Sequence, residues 1–336
     1  MRASRERNLT EETMRRALIT GVGSCLPEKV VTNDDLSRTL DTSDEWIRAR
    51  TGISERRVAS DGELTSDLGA EAARRALAHA GIEAAAVDLL IVATATPDQT
   101  FPATAAAIQD KLGLTEGAAF DVQAVCSGFI FALALTRRLV ECGDAKTALV
   151  VGAETFSRIL DWTDRTTCVL FGDGAGAVVV EAGEGAGTNA DRGILGHHLR
   201  TDGSLRSLLY VDGGPSSTQT AGHVRMRGPE VFKNAVKKIS ESIEVLLEKN
   251  GLVAGDVALF VPHQANERII TAVADRVGLD MDRIVNTVGH HGNTSAASIP
   301  LALDTAAQEG RLKRGDLVLF EALGGGLTWG SVLARW

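Results

Sequence analysis

The feature that most constrains the fold is an internal repeat. In each half of the sequence a helix ends at a glycine, and an aspartate and a buried strand follow before a helix, a strand, a small-residue turn and another helix. Asp88 precedes the strand of the first copy and Asp256 that of the second, 168 residues later. The same offset carries Cys126 to Thr294. A repeat of this length is too long for a solenoid and predicts two copies of one βα unit related by a pseudo-twofold axis.

The alternation of strands and helices predicts an α/β fold with two pseudo-symmetric, mostly parallel sheets layered with helices. We predict a polar N-terminal extension over residues 1–16. The first half covers 17–185 and carries a nucleophile, 186–228 form a connector, and the second half, 229–336, carries a histidine and an asparagine.

The stretch from Ala119 to Val140 reads as a strand, a sharp turn and a buried helix, with Cys126 at the corner. A thiol at a helix start lies beside unpaired N–H groups and the positive end of the helix dipole, which favour the thiolate and can stabilise an oxyanion. Cys126 is therefore a candidate nucleophile. The alternative is a small buried apolar residue, a common role of free cysteine.

The pseudo-twofold axis predicts that three equivalent corners meet. They carry Cys126, His263 in VPHQANERII, and Asn293 in GHHGNTSAAS. Alone, His263 could cap a helix and Asn293 could be a turn residue. Together, the thiol can accept an acyl group while the histidine and asparagine donate hydrogen bonds to an adjacent oxyanion.

A basic segment around one indole precedes the first repeat. It contains Trp46, Arg48, Arg50, Arg56 and Arg57. An indole face and guanidinium groups suit an adenine ring and phosphates, although a solvated basic loop with a packed tryptophan would have the same composition.

The glycines of FGDGAGA do not predict a dinucleotide site. A β-branched strand follows Gly172, Gly174 and Gly176, whereas a dinucleotide loop is followed by a helix.

Composition excludes several partners and environments. A formal charge of −9 argues against nucleic acid or anionic membrane as the main partner. The sequence has no signal peptide and no apolar run long enough to span a bilayer, so we expect a cytoplasmic protein. Four scattered cysteines without a CxxC pair indicate reduced thiols and no zinc site.

From about Ala17 to Trp336 the sequence resembles β-ketoacyl-ACP synthase III, the initiating condensing enzyme of bacterial fatty-acid synthesis. Besides the Cys126 corner, the matching motifs are DTSDEWIRARTGISERR, DRTTCVLFGDGAGA, GPEVFK, VPHQANERII, GNTSAASIP and EALGGGLTWGS. The resemblance implies a duplicated thiolase-like fold. It also implies a decarboxylating Claisen condensation of a short-chain acyl-CoA with malonyl-ACP, giving 3-oxoacyl-ACP, CO2 and CoA without a metal or redox cofactor.

The resemblance also assigns roles. Cys126 matches the acylated nucleophile, while His263 and Asn293 match the pair that stabilises the enolate. The remaining matches are the N–H groups of Cys126 and Gly325 as oxyanion hole, Trp46, Arg50 and Arg165 as coenzyme A contacts, Arg268 as carrier-protein docking position, and Phe101, Phe232 and Leu323 as acyl-pocket residues. Phe101 matches a residue inserted by a partner subunit, which implies a homodimer.

Two departures from the family pattern affect specificity. Leu323 and Leu327 flank the GGG loop where phenylalanines are common, which predicts room for a branched or longer starter. Asp275 and Arg276 stand where paired lysines are common, which weakens the expected basic docking surface.

Three rival functions follow from the same residues. A priming synthase of a polyketide or other secondary pathway would use the same three catalytic residues. A thiolase would need a second active-site cysteine, and the C-terminal half has none. A non-catalytic subunit that shapes chain length would be expected to lack the nucleophile.

Overall fold

The computed structural model describes residues 13–336. Residues 1–12, most of the predicted N-terminal extension, lie outside the described residues. The first strand begins at Met14, three residues before the predicted start of the fold. The strands are β1 Met14–Cys25, β2 Val30–Thr32, β3 Glu55–Arg57, β4 Leu89–Ala93, β5 Ala118–Val122, β6 Thr147–Glu154, β7 Gly174–Gly185, β8 Gly193–Thr201, β9 Leu209–Val211, β10 Val224–Met226, β11 Leu259–Pro262, β12 Leu317–Gly324 and β13 Thr328–Arg335.

Helices connect the strands within each half. They are α1 Asn33–Ser37, α2 Asp44–Thr51, α3 Thr65–Ala80, α4 Thr104–Lys111, α5 Gly128–Cys142, α6 Gly228–Lys249, α7 Glu267–Val277, α8 Val288–His291 and α9 Ser298–Gln308. Within residues 13–336, none of them has both the length and the apolar character needed to span a bilayer.

The two main sheets have the same topology. In the first the order is β1-β7-β6-β4-β5, and in the second it is β8-β13-β12-β11. In both, the first two neighbouring pairs are antiparallel, whereas the strands beyond them, which helices connect, pair in parallel. A parallel bridge between Phe260 and Ile284 occupies the place of β5 in the second sheet. The predicted α/β class and duplication are confirmed.

The repeat offset in the structure is 170 residues. The turn at the Cys126 corner, Val125–Ser127, corresponds to a turn at Ser295–Ala297, and both begin with a residue at φ +49°. Cys126 is therefore equivalent to Ala296, and the predicted equivalence with Thr294 is wrong by two residues. The reason is that Asp256 lies inside a short 3₁₀ turn, whereas Asp88 follows the corresponding turn.

Five layers build the core. Because successive strand residues face opposite sides of a sheet, Leu90 and Val92 of β4 pack against α3 and α4 on the outside, while Ile91 packs against α5. Helices α5 and α9 fill the layer between the sheets, and α6 and α7 cover the outer face of the second sheet. Each fully buried large apolar side chain in these layers, such as Phe129, stabilises the fold by roughly 1.5–3 kcal/mol.

The segment predicted as a connector, 186–228, also supplies sheet structure. Its strand β8 pairs antiparallel with β13 and forms an edge of the second sheet. The Gly-rich composition hides this strand because its buried residues are Gly193–Gly196 and His198, and the rest of it is partly or fully exposed. The division into halves stays a prediction.

The basic segment is more regular than its sequence suggests. Ser43 caps α2 by accepting a hydrogen bond from the Trp46 backbone nitrogen at 3.1 Å, and Gly52 ends the helix at φ +78°. Glycine tolerates this left-handed conformation without strain. The helix fixes the direction in which Trp46 and Arg50 face.

Candidate active site

Cys126 lies at the corner between β5 and α5, as the sequence predicts. Its side chain is buried and lines a cavity of about 580 Å³. Val125 before it has φ +49°, a conformation that a β-branched residue rarely adopts, so the corner stores backbone strain beside the thiol. Burial raises the pKa of the Cys126 thiol to about 12. The dipole of α5 opposes this effect, but the neutral thiol is the resting form, contrary to the expected thiolate.

Asn293 lies at the start of the second corner and lines the same cavity. Its backbone nitrogen donates to Leu170 O at 2.9 Å, and its carbonyl accepts from the Gly172 nitrogen at 3.0 Å. The Ser295 N–H donates to Asn293 Oδ1 at 2.9 Å. Because the amide oxygen is held by this donor, the Nδ2 group is left to donate into the cavity.

His263 directly follows β11 and is 5% exposed. Its Nδ1 lies 2.6 Å from Ser298 Oγ, and the same oxygen accepts from the Gln264 backbone N–H at 3.3 Å. When the serine hydroxyl donates to Nδ1, the ring proton resides on Nε2. Burial lowers the pKa of His263 to about 3, so the ring is neutral at physiological pH. Its Nε2–H can therefore serve as a hydrogen-bond donor.

The three predicted catalytic residues thus line one cavity. The acceptor atoms of His263 and Asn293 are satisfied by protein groups on the far side, which leaves two neutral donors for an oxyanion beside the thiol. Such preorganised donors stabilise developing negative charge because they need no reorientation during the reaction.

The cavity mouth combines an indole with guanidinium groups. The Arg50 guanidinium carbon lies 4.4 Å from the Trp46 ring centroid, and that of Arg165 lies 5.4 Å from it. Arg165 also pairs with the exposed Asp41 at 3.0 Å. The predicted coenzyme A residues are therefore brought together at the cavity that contains Cys126.

Arg268 lies at the same mouth. Its guanidinium carbon is 5.6 Å from the Phe232 ring centroid, and both side chains line the cavity. Asn266 is the N-cap of α7, and its side chain accepts a hydrogen bond from the Arg268 backbone nitrogen. Arg268 therefore lies in the first turn of that helix.

The GGG loop between β12 and β13 packs directly on the Cys126 corner. A Cβ on Gly324 would come within 2.8 Å of the Cys126 nitrogen, and one on Gly325 within 2.8 Å of Leu209 O. Only glycine permits this approach. The oxyanion-hole role of Gly325 stays a prediction.

The predicted acyl-pocket residues separate into two groups. Phe232 and Leu323 line the cavity, whereas Phe101 is 82% exposed and does not line it in its own chain. The two leucines around the GGG loop also differ, because Leu327 is fully buried but lies outside the lining. Of the two, Leu323 is thus the one placed to change the acyl space.

Sequence reasoning missed two buried glutamates. Glu154 ends β6, and burial raises its pKa to about 7; Glu321 lies on β12 and lines the cavity, and burial raises its pKa to about 8. An acidic residue inside an otherwise apolar strand, as in TALVVGAE and LVLFEALG, is the signal that could have found them. The supporting serines Ser295 and Ser298 were missed because only the fold places them.

All four cysteines are free thiols. Within residues 13–336, no cluster of three or more His, Cys, Asp or Glu side chains is arranged to hold a metal ion.

Two family models match the chain. The model for 3-oxoacyl-[acyl-carrier-protein] synthase III matches residues 120–203, and that for the C-terminal part of the same enzyme matches residues 247–336. A β-ketoacyl-[acyl-carrier-protein] synthase III of Rhodospirillum centenum is 64% identical to this chain, over 96% of this chain and 99% of the relative. That of Rhizobium meliloti is 59% identical, over 96% and 100%.

Solved structures are also similar to this chain in fold and in sequence. The synthase III of Aquifex aeolicus is 46% identical with a TM-score of 0.90, covering 95% of this chain and all of that chain. The priming β-ketosynthase of the R1128 polyketide pathway is 35% identical with a TM-score of 0.89, covering 96% of each.

Proposed function

This chain belongs to the β-ketoacyl-[acyl-carrier-protein] synthase III family, and we propose that Cys126, His263 and Asn293 perform its chemistry. The enzyme is an acyltransferase that initiates fatty-acid synthesis by condensing an acyl-CoA with malonyl-ACP. The observation that carries the residue assignment is the orientation of the two donors. The acceptor atoms of His263 and Asn293 are held by Ser298 and Ser295, so their free N–H groups face the cavity of Cys126.

In the first half-reaction the Cys126 sulfur attacks the thioester carbonyl of the acyl-CoA. The N–H groups of Cys126 and Gly325 receive the oxyanion, and CoA leaves as the thiolate. Trp46, Arg50 and Arg165 bind the adenine and phosphates, because an indole face and guanidinium groups supply stacking and charge-assisted hydrogen bonds.

In the second half-reaction malonyl-ACP replaces CoA and loses CO2. The Nε2–H of His263 and the Nδ2–H of Asn293 stabilise the enolate oxygen, and its carbon attacks the acyl group on Cys126 to give 3-oxoacyl-ACP. Each donor is expected to contribute about 3 kcal/mol of transition-state stabilisation. The departure of CO2 drives the step and the site supplies positioning and charge stabilisation, so no metal or redox cofactor is required.

The finer assignments concern partners. Arg268 is proposed to contact the acidic carrier protein at the cavity mouth. A homodimer is proposed because Phe101 is 82% exposed and because β5 ends the first sheet with an edge that is unpaired within the described chain, a geometry that favours pairing with a second copy. The cytoplasm is the proposed location, since a nucleophilic thiol stays reduced there.

The starter is proposed to be a short acyl group, branched or slightly longer than acetyl, because Leu323 occupies less of the acyl space than a phenylalanine would. The rival, a priming synthase of a polyketide pathway, has less support. Curated relatives named synthase III are 58–64% identical to this chain. Among solved structures the synthase III of Aquifex aeolicus is 46% identical, against 35% for the priming enzyme.

Intact-protein mass spectrometry tests the proposal. Purified protein is mixed with acetyl-, propionyl-, butyryl- and isobutyryl-CoA and then with malonyl-ACP, with Cys126→Ala as control. We expect an acyl adduct on the wild type only, converted to 3-oxoacyl-ACP. Loading from an acyl-carrier thioester but from none of the CoA esters would overturn the roles of Trp46, Arg50 and Arg165. An adduct on Cys126→Ala would overturn the nucleophile.

A further inference from the structure

The two corners of the repeat pack against each other behind the nucleophile. The turn Ser295–Ala297 contacts both the Cys126 turn and the end of β6. The approach is close enough that a Cβ on Gly152 of β6 would come within 2.3 Å of Ala296 O. The second corner, which begins with Ser295, therefore packs directly against the Cys126 turn.

Glu154, the last residue of β6, lies in this contact. Its carboxylate accepts hydrogen bonds from Thr96 Oγ1 at 2.6 Å, from the Ala95 nitrogen at 3.1 Å, from Thr94 Oγ1 at 3.3 Å and from the Ala296 nitrogen at 3.4 Å. The side chain is fully buried. Four neutral donors hold the carboxylate without a cationic partner, which is unusual for a buried acid and indicates a function beyond stability.

Ser295 begins the turn that contacts both the Cys126 turn and β6, and its neighbour Ala296 donates to Glu154. Burial raises the pKa of both Cys126 and Glu154; the Ser295 hydroxyl lowers both, and the charge of Glu154 raises that of Cys126 further. Yet Ser295 Oγ has no hydrogen bond of standard geometry within residues 13–336, although the residue is fully buried. A buried hydroxyl without a partner destabilises the fold. The backbone of Ser295 is also strained, because its φ is +49°.

We propose that Ser295 and Glu154 form a proton relay for Cys126, in which the thiol proton passes to Ser295 Oγ while the Ser295 hydroxyl proton passes to the Glu154 carboxylate. This inference rests on the proposed nucleophilic role of Cys126. As the proton leaves, the sulfur forms a bond to the acyl carbon and the bond from that carbon to the CoA sulfur breaks. The CoA thiolate takes its proton from solvent.

The stored proton is used in the second half-reaction. When the enolate carbon attacks the acyl group, the bond from that group to Cys126 breaks and the sulfur leaves as a thiolate. Glu154 then returns the proton through Ser295 to give the resting thiol. The balance over both steps is one proton taken from solvent, on CoA, which matches the loss of the malonyl carboxylate as CO2.

The surroundings of Glu154 suit this storage. The groups that donate to it, from the segment after β4 and from the second corner, are neutral hydroxyl and N–H groups. Its charge acts on the pKa of Cys126. Burial raises the pKa of Glu154 to about 7, so the carboxyl group can both accept and return a proton near neutral pH.

Rapid-quench acylation at pH 5.5 to 9.5 tests the relay. The probe is whichever CoA ester of the panel loads the wild type best, and alkylation by iodoacetamide reports the thiol without a substrate. For the wild type we expect a rate that rises with pH to a plateau above about 7. Glu154→Gln and Ser295→Ala should each slow acylation at pH 7 at least about tenfold and abolish that plateau. The double variant should be no slower than the slower single variant, because the two residues act as one unit.

If Glu154 takes no part in proton transfer, the opposite effect on acylation is expected. If Glu154 acted only through its charge, its removal would lower the pKa of Cys126 and speed acylation at pH 7. Equal or faster acylation by Glu154→Gln, with an unchanged pH profile, would overturn the relay while the nucleophile stands. A wild type that neither a CoA ester nor an acyl-carrier thioester acylates would instead overturn the role of Cys126 itself.

Matched variants separate the relay from folding. Asp304→Asn removes a buried carboxylate that also has a serine partner, Ser24 Oγ at 2.5 Å, but lies outside the cavity lining; it should keep the wild-type profile. Glu154→Asp keeps a carboxyl group and should keep the plateau. If circular dichroism shows that Glu154→Gln does not fold, Ser295→Ala decides the test.

Discussion

The hydroxyl oxygen of Ser298 lies 2.6 Å from Nδ1 of His263, and both atoms are buried. The Gln264 N–H donates to the same oxygen. The serine only accepts in that bond, so its hydroxyl proton is available to donate to the ring. This arrangement makes the imidazole a donor at Nε2. The tautomer that enolate stabilisation requires is thus set by a residue that does not line the cavity.

Removal of that hydroxyl is expected to affect one half-reaction. In Ser298→Ala, condensation of a preloaded acyl-enzyme with malonyl-ACP should slow about tenfold, roughly 1.4 kcal/mol of barrier, while acylation of Cys126 by acyl-CoA should stay within about threefold of the wild type. Single-turnover measurements of each step check this. Ser242→Ala is the control, because Ser242 bonds Nδ1 of another buried histidine, His198, at 2.9 Å outside the cavity lining. Equal slowing of both half-reactions would contradict a tautomer role.

Asn293→Asp replaces a donor by an acceptor that carries charge. The Ser295 N–H can still bind one carboxylate oxygen, so the loop has a reason to keep its conformation, but the other oxygen faces the enolate. We expect decarboxylation of malonyl-ACP to fall by about 10² to 10³ or more, since loss of one such donor alone has that effect. Release of labelled CO2 measures it, and acylation of Cys126 is the internal control. Unchanged decarboxylation would remove Asn293 from the mechanism.

Stability should depend on pH through Glu321. Its pKa is raised from about 4.5 to about 8 by burial, so its favourable contribution is complete below pH 4.5 and is lost as pH rises through 8. His263 acts in the other direction, because its lowered pKa makes the fold lose stability as pH falls from about 6.5 towards 3. Between pH 6 and pH 9 the free energy of unfolding of Glu321→Gln should therefore rise relative to that of the wild type by a few kcal/mol, as measured by thermal unfolding. A constant difference over that range would show that Glu321 is not the group that titrates.

The site could be located from the sequence because its residues follow recognisable breaks in the pattern. Cys126 interrupts an apolar strand-to-helix run, and His263 directly follows a buried strand. The repeat then predicted that these corners meet, which the structure confirms, although its offset was wrong by two residues.

The rest could not be predicted because it depends on contacts between segments that are distant in the sequence. Nothing local to Ser295 or Ser298 distinguishes them from the other small residues of GNTSAAS. Only the fold brings Ser298 to Nδ1 of His263 and packs the turn that begins with Ser295 against the Cys126 turn. The predicted direction of the shift in the Cys126 pKa was also wrong, because burial outweighs the helix dipole. The depth of burial is not visible in the sequence.

A substitution at the cavity mouth is expected to weaken the binding of acyl-CoA without slowing the chemical step. Arg165→Ala should raise the KM for acyl-CoA about tenfold and leave kcat near the wild-type value, because Arg165 lies 5.4 Å from the Trp46 ring at the entrance and not beside the sulfur. The effect should shrink at high salt, since a charge is removed. Steady-state kinetics at two ionic strengths measure both, with the exposed Arg206→Ala as control. A fall in kcat at saturating acyl-CoA would place Arg165 in the chemistry instead.

The two leucines around the GGG loop should respond differently to the same substitution. Leu323 lines the cavity, so a phenylalanine there can extend into the acyl space, whereas Leu327 is fully buried outside the lining. Leu323→Phe should lower kcat/KM for isobutyryl- and butyryl-CoA about tenfold relative to acetyl-CoA, because one or two methylene groups in such a pocket are worth about 1–3 kcal/mol. Leu327→Phe should instead lower the unfolding temperature without changing selectivity, since overpacking a filled core costs about 1–3 kcal/mol. Competition between paired CoA esters, followed by mass spectrometry of the acylated protein, measures the selectivity directly. If Leu323→Phe leaves the ratio unchanged, the acyl chain does not reach this side chain, and the wider space beside the GGG loop has no part in the choice of starter.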